Sequence, residues 1–462
     1  MSSSSLRSRV YHSRVARVSA VGVAAAALAG GVVTSATGAA PTKYPAAEQY
    51  KAISVPDRVV MNPTTDPATS QSVSWRSDAT ENPGYAEIAK ATGGPSFTPT
   101  RLTATTSPTV QADLGYPVSF HSATFTGLEP ETMYTYRVGD GVNWSEWFQF
   151  KTAAASAKPF SFIYYGDAQN GIKQHASRVF RQAFRDRSEA QLVVHAGDLV
   201  DSANSDSQWG EWFYAGGFTT GMINQLGIPG NHEYSGGQLA RYWDKQFEFP
   251  KNGPAAFNTV APETTYYTDY QGVRFIGLNT NLQGNTAYME ATAAWLEQVL
   301  RDNPNEWAVV TYHHPAFSTT GTRNNPNVRK YWLPIFEKYN VDLVLQGHDH
   351  SYARGNLAVN RKNAINQQGT VYVVSVSGEK MYELNGGVNW TSNGAEVTKQ
   401  LEDNQLYQLI DVDGETMRYE ARKANGEWHD GFVIEKDFDR DRKRVYDLDE
   451  DGKKITSAAA KR

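Results

Sequence analysis

The stretch Leu192-Val193-Val194-His195-Ala196-Gly197-Asp198-Leu199-Val200-Asp201 decides how this chain is read. Its first half is apolar and β-branched, the composition of a short buried strand, and it runs straight into Gly-Asp. A carboxylate at the C-terminal end of a buried strand sits where open α/β sheets place their chemistry. Gly-Asp alone is a common turn, but the arrangement recurs. Residues 160–165 run into Gly166-Asp167, and residues 226–229 into Gly230-Asn231-His232-Glu233. Residues 307–310 run into Thr311-Tyr312-His313-His314-Pro315, and residues 341–345 into Gln346-Gly347-His348-Asp349-His350. Strand after strand ends in Asp, Asn or His. The pattern predicts a metal site assembled from strand ends, with Asp198 at its centre.

The spacing around that stretch gives the topology. Asp167 to Asp198 is 31 residues and Asp198 to Asn231 is 33, each the length of one βαβ unit. Ile172, Ala176, Val179, Phe180, Ala183 and Phe184 form the apolar stripe of a helix, as do Met289, Ala293, Leu296, Val299 and Leu300. Residues 328–339 predict a third helix. Later strands at 370–376 and 406–412 predict a sheet that packs on the first. Residues 56–152 read differently, as short alternating strands punctuated by Pro, Gly, Asn and Asp, which predict a β-sandwich.

At 462 residues, with 40% apolar and 12% aromatic side chains, the chain is long enough for two packed domains. The expected layout is a secretory signal peptide at 1–40, a sandwich at 54–152, a catalytic α/β domain at 159–435 and a charged, disordered tail at 436–462. Arg7, Arg9, Arg14 and Arg17 precede an uncharged Ala-, Val- and Gly-rich run, which reads as a cleaved export signal. A retained membrane anchor is the rival reading of the same run. Export implies a secreted protein with no membrane contact after cleavage. There is no cysteine, so thiolate metal sites are excluded and imidazole, carboxylate and amide donors remain. Those donors suit Fe, Zn or Mn. Losing the four N-terminal arginines takes the formal charge from −5 to −9, a balance that argues against nucleic acid as a partner.

On these motifs the chain resembles the calcineurin-like metallophosphoesterases, and among them the purple acid phosphatases, whose larger members carry a fibronectin type III-like domain in front. The resemblance implies an αββα sandwich of two packed mixed sheets flanked by helices. It implies two metal ions, with Asp198 bridging them, Asp167 and His350 completing one site, and Asn231, His313 and His348 the other. His232 would be the residue that holds phosphate and protonates the leaving group. The activity implied is hydrolysis of phosphate monoesters on small substrates, by in-line attack of a metal-bound hydroxide. A phosphodiesterase or nucleotide hydrolase is the alternative, and a catalytically dead binding protein a third reading.

Two departures matter. Asp201 stands where purple acid phosphatases have the tyrosine that colours ferric iron, so a colourless site less committed to Fe(III) is expected. Gln169 stands where that family has glycine and other metallophosphoesterases have histidine, which makes its amide a further candidate ligand. His314, Tyr352 and Arg354 are candidate anion contacts near the cleft, with a salt bridge at the surface or core edge the equal alternative for Arg354, and Arg323 behind them. His195 reads as a core residue. The aromatic run Trp209, Trp212, Phe213 and Tyr214 reads equally as pocket wall or core.

Overall fold

The computed structural model describes residues 43–79, 83–363, 365–440 and 442–456. The signal-peptide reading falls outside the described residues.

Each strand that ends in a candidate ligand is apolar because it is covered on both faces, as buried parallel strands are. Phe160–Tyr165, Leu192–His195 and Asn224–Gly227 pair in parallel at one end of a nine-stranded sheet. Leu406–Asp413, Thr416–Lys423 and Trp428–Asp437 continue that sheet antiparallel. A second, seven-stranded sheet carries Val273–Gly277, Trp307–Tyr312, Leu343–Gln346 and Val371–Val374 in parallel. The two sheets pack through alternate side chains: Phe162 meets Phe275 with ring centroids 5.1 Å apart. The opposite face of the first sheet takes the helices. Tyr165 stacks on Phe180 at 4.2 Å, and His195 meets Trp212 at 5.2 Å. This is the αββα sandwich expected from the sequence.

The apolar stripes become helices Ser177–Asp186 and Thr286–Arg301, with Val179, Phe180 and Ala183 buried in one and Met289, Leu296 and Leu300 in the other. The third helix is two. Pro326–Tyr331 and Leu333–Lys338 break at Trp332, because Pro334 has no N–H to continue the ladder. Trp209 and Trp212 lie buried in the main core, away from the metal-ligand candidates, whereas Tyr214 is 49% exposed.

The N-terminal domain is a sandwich of two antiparallel sheets around Trp75, Phe125, Tyr136 and Phe150. Tyr134 accepts the N–H of Glu129 at 2.9 Å, the tyrosine corner that tethers a strand to the turn before it. The connector 153–158 is packed down: Ala153 and Ala154 are buried, and the Ala154 N–H donates to Gln271 at 2.9 Å. Val60, Val118 and Phe120 of the sandwich join the same apolar cluster as Phe162 and Leu192. The sandwich is therefore fused to the catalytic fold through a shared core.

The tail departs from expectation. Arg442–Asp447 is a strand that pairs antiparallel with Trp428–Asp437, and Lys443, Val445 and Asp447 point inward. Lys443 is buried beside Asp342 and donates to the carbonyls of Asn340 and Val341, both at 2.9 Å. Burial lowers its pKa to about 8.

Candidate metal centre

Parallel strands in two facing sheets end at the same edge of the molecule, so their donors meet there. Asp167, Asp198 and Asn231 come from the first sheet, and His313, His348 and His350 from the second. Reaching the centre requires tight backbone. Gly197 turns at φ +87°, and a Cβ on it would lie 2.7 Å from both the Gly230 nitrogen and His313 Nδ1. Asp198 and His348 themselves hold positive φ, +50° and +70°, which costs about 1–3 kcal/mol each in an L-residue. That strain is anchored. Glu233, fully buried, accepts the N–H groups of Asp198 at 2.9 Å, Val200 at 3.1 Å and Gly230 at 2.7 Å. Burial and then Asp198 push the Glu233 pKa up to about 8, against the pull of those donors.

The hydrogen bonds fix which atoms face inward. His350 donates Nδ1–H to the Lys380 carbonyl at 2.9 Å, which leaves Nε2 as a lone pair, 3.0 Å from Asp167 Oδ2. His313 likewise donates Nδ1–H to the Ala196 carbonyl at 2.9 Å. Its Nε2 lies 3.1 Å from Asp198 Oδ2, 3.1 Å from Asn231 Oδ1 and 3.2 Å from His348 Nδ1. Acceptor thus faces acceptor on both sides of Asp198. A cation between them resolves the conflict: ligands about 2.1 Å from one ion lie about 3 Å from each other. Donor atoms of Asp167, Asp198 and His350 fall within 4.8 Å of one another, as do those of His313, His314 and His348. The donor set fits two transition-metal ions: Asp198 stands in the first group, and its Oδ2 is 3.1 Å from His313 Nε2 of the second.

The charge balance agrees. Burial drives the His313 pKa down, but Asp198 and Asp167 outweigh it and hold His313 up at about 9. The two carboxylates thus draw a positive charge to the position where an ion fits. Burial alone would raise the Asp167 carboxyl, yet His313 and His350 hold it below the ordinary range. Burial and then His313 push His314 down to about 3, and burial with the same neighbour pushes His348 down further.

Gln169 sits in the centre as well. Its Nε2 lies 3.1 Å from Asp198 Oδ2 and 2.9 Å from His350 Nε2, while its Oε1 is buried with no hydrogen-bond partner. An amide turned over would offer that oxygen to an ion. His232 is half-buried at the rim. Its N–H donates to Asp198 Oδ1 at 2.9 Å, and its Nδ1 donates to the Asp201 carbonyl at 2.6 Å, so Nε2 is the atom left for chemistry. His314 packs on His348, with ring centroids 4.3 Å apart, and its Nδ1 is 2.8 Å from the Thr280 hydroxyl.

Tyr352 and Arg354 are not at the site. Both are buried on Tyr352–Leu357, where the Arg354 guanidinium pairs with Asp430 and Asp447 and the Tyr352 hydroxyl donates to Asp430 at 2.7 Å. Arg323 is nearer, donating to the His348 carbonyl at 2.7 Å and to Asp349 at 2.9 Å. His195 is a core residue, 2.9 Å from Gln225 Oε1. Sequence reasoning gave no role to Glu233, although it closes the Gly-Asn-His-Glu motif. Nor did it find Tyr382, whose ring stacks on His350 at 4.4 Å and follows no motif.

Residues 56–152 match the family model of the purple acid phosphatase N-terminal domain, and residues 160–352 that of the calcineurin-like phosphoesterases. An uncharacterized protein of Mycobacterium tuberculosis is 26% identical over 52% of this chain and 51% of its own length. Purple acid phosphatase 23 of Arabidopsis thaliana is 25% identical over 55% of this chain and 61% of its own. Relatives named as probable inactive purple acid phosphatases are matched too. The chain spans about half to three fifths of the length of these curated relatives. The purple acid phosphatase PPD1 from yellow lupin (Lupinus luteus) seeds superimposes with a TM-score of 0.70 at 19% identity, over 84% of this chain and 75% of that one.

Proposed function

We propose that this chain, whose residues 160–352 match the calcineurin-like phosphoesterases and residues 56–152 the purple acid phosphatase N-terminal domain, is an exported phosphatase of broad specificity acting on small phosphate monoesters. The observation that carries this reading is the set of imidazole and carboxylate lone pairs converging on both sides of Asp198, which a cation on each side would satisfy. Asp167, Asp198 and His350 would hold one ion, and His313, His348 and Asn231 the other, with Gln169 and His314 beside them. Fe, Zn or Mn bound there supplies Lewis acidity toward phosphoryl oxygens and lowers the pKa of a trapped water.

The chain's own residues do the rest. Asp198 would serve both halves of the centre, its Oδ2 beside His313 Nε2 and Gln169 Nε2 and its Oδ1 accepting the His232 N–H, while Glu233 holds its backbone. His232, its Nδ1 tied to the Asp201 carbonyl, carries at Nε2 the proton passed to the leaving alkoxide. His314 stands at the rim where phosphate enters. Asp201 supplies a carbonyl to His232 and no phenolate to a metal, so the loaded protein is expected to be colourless.

Parallel turnover of a phosphate monoester and a phosphate diester on metal-loaded protein tests the reading. Faster monoester hydrolysis supports it. Preference for the diester would shift the assignment to a phosphodiesterase, and no turnover of either by loaded protein would point to a binding role.

A further inference from the structure

Within the junction of sandwich and catalytic fold, one buried carboxylate gathers the charged side chains. Asp206, the first residue of helix Asp206–Gly216, has 0% exposure, and the side chains bound to it all come from the sandwich. Arg58 Nη1 donates to Oδ1 at 2.8 Å, Arg76 Nη1 to Oδ2 at 2.9 Å, and the Tyr116 hydroxyl to Oδ2 at 2.7 Å. Arg58 Nη2 reaches the Asp206 carbonyl at 2.9 Å, and the Asp206 N–H donates to Asp113 at 2.8 Å. Asp57 balances Arg76. Burial lifts the Asp206 carboxyl, but Arg58 and Arg76 hold it below the ordinary range.

Apolar residues would join two domains at least as firmly, since desolvating three charges offsets most of their attraction. What a buried ion triad adds is a fixed register. Here it registers the loop that leads from Asp198 to the helix. The first turn of that helix grips the loop: Gln208 Oε1 accepts the N–H groups of Asp201 and Ser202, both at 2.8 Å, and Trp209 donates to the Ala203 carbonyl at 2.9 Å. The loop in turn holds His232 through the Asp201 carbonyl, with the Asp201 carboxylate 3.5 Å from Nδ1.

We propose that the sandwich domain sets the proton-delivering position of His232 through Asp206, which makes Arg58, Arg76 and Tyr116 positioning residues for catalysis. The inference rests on the assignment of His232 as proton donor above.

A leaving-group comparison tests it on the full-length, metal-loaded protein. An alkyl phosphate needs its leaving oxygen protonated, whereas p-nitrophenyl phosphate expels a stable anion without help. His232→Ala sets the benchmark, with a loss of about 100-fold or more on the alkyl ester and far less on the aryl ester. Tyr116→Phe and Asp206→Asn should show the same split in kcat, about tenfold against less than about twofold, at unchanged metal content. Should Asp206→Asn not fold, Tyr116→Phe decides alone, because it removes only the hydroxyl that Asp206 Oδ2 shares with the Tyr50 carbonyl, and no charge. Equal effects on both esters, or none, in Tyr116→Phe would overturn the clamp while leaving the His232 assignment intact. No split in His232→Ala itself would overturn both.

Discussion

Arg354→Met separates a structural arginine from a substrate contact. The guanidinium is 2% exposed and donates Nε to Asp430 at 2.6 Å, Nη2 to Asp430 at 2.9 Å and Nη1 to Asp447 at 2.9 Å. Its carbon lies 5.0 Å above the Phe432 ring. Methionine keeps much of the aliphatic volume but leaves two buried carboxylates without that cation. Breaking a buried ion pair from one side costs about 3–5 kcal/mol, and one cation between two anions places this case at the upper end. Spread over the unfolding entropy of a fold of this size, that is a fall of roughly 5–9 °C in the unfolding midpoint. Thermal unfolding reads the loss, and turnover well below the midpoint reads the function, where kcat/KM should stay within about twofold. The triple variant Arg354→Met, Asp430→Asn, Asp447→Asn should recover most of the stability, because removing all the charges removes the conflict. Unchanged stability together with a raised KM would refute the reasoning and return Arg354 to the substrate.

Burial holds His195 and His121 at a pKa of about 4 against the ordinary 6.5, so the folded state binds their protons less readily than the unfolded chain. Their contribution is whole above about pH 6.5 and is lost as pH falls toward 4, and His195→Gln should flatten that slope in denaturant titrations across this window. Gly197→Ala places a methyl 2.7 Å from His313 Nδ1 at a backbone φ of +87°, and it should abolish metal retention in elemental analysis of the folded variant. Chelation of the metals should lower the unfolding midpoint, because bound ions stabilise only the folded chain, and restoring metal should reverse it.

How far the sequence could be read depended on where the chemistry sat relative to the strands. Asp167, Asp198, Asn231, His313, His348 and His350 each follow a buried parallel strand, and such strands announce themselves as unbroken apolar runs. For Arg354, near in sequence to His350, the salt-bridge reading is the one the structure bears out. Four residues of extended chain carry it roughly 13 Å along a strand and into the sheet's own packing. The strand at Arg442–Asp447 was hidden because two of its three inward residues, Lys443 and Asp447, are charged and pair with Asp342 and Arg354. A period-two burial of charges looks like a solvated tail until its partners are known. Glu233 and Gln208 act on backbone N–H groups, a role that carries no residue-type signature.

Metal stoichiometry of the purified full-length protein, measured with monoester turnover on the same sample, bears most directly on the dinuclear centre. The account predicts close to two transition-metal ions per chain, no visible absorption band from a phenolate, and joint loss of metal and activity in Asp198→Ala and His348→Ala. A well-folded protein that retains at most one ion after metal loading and turns over no phosphate ester would contradict it.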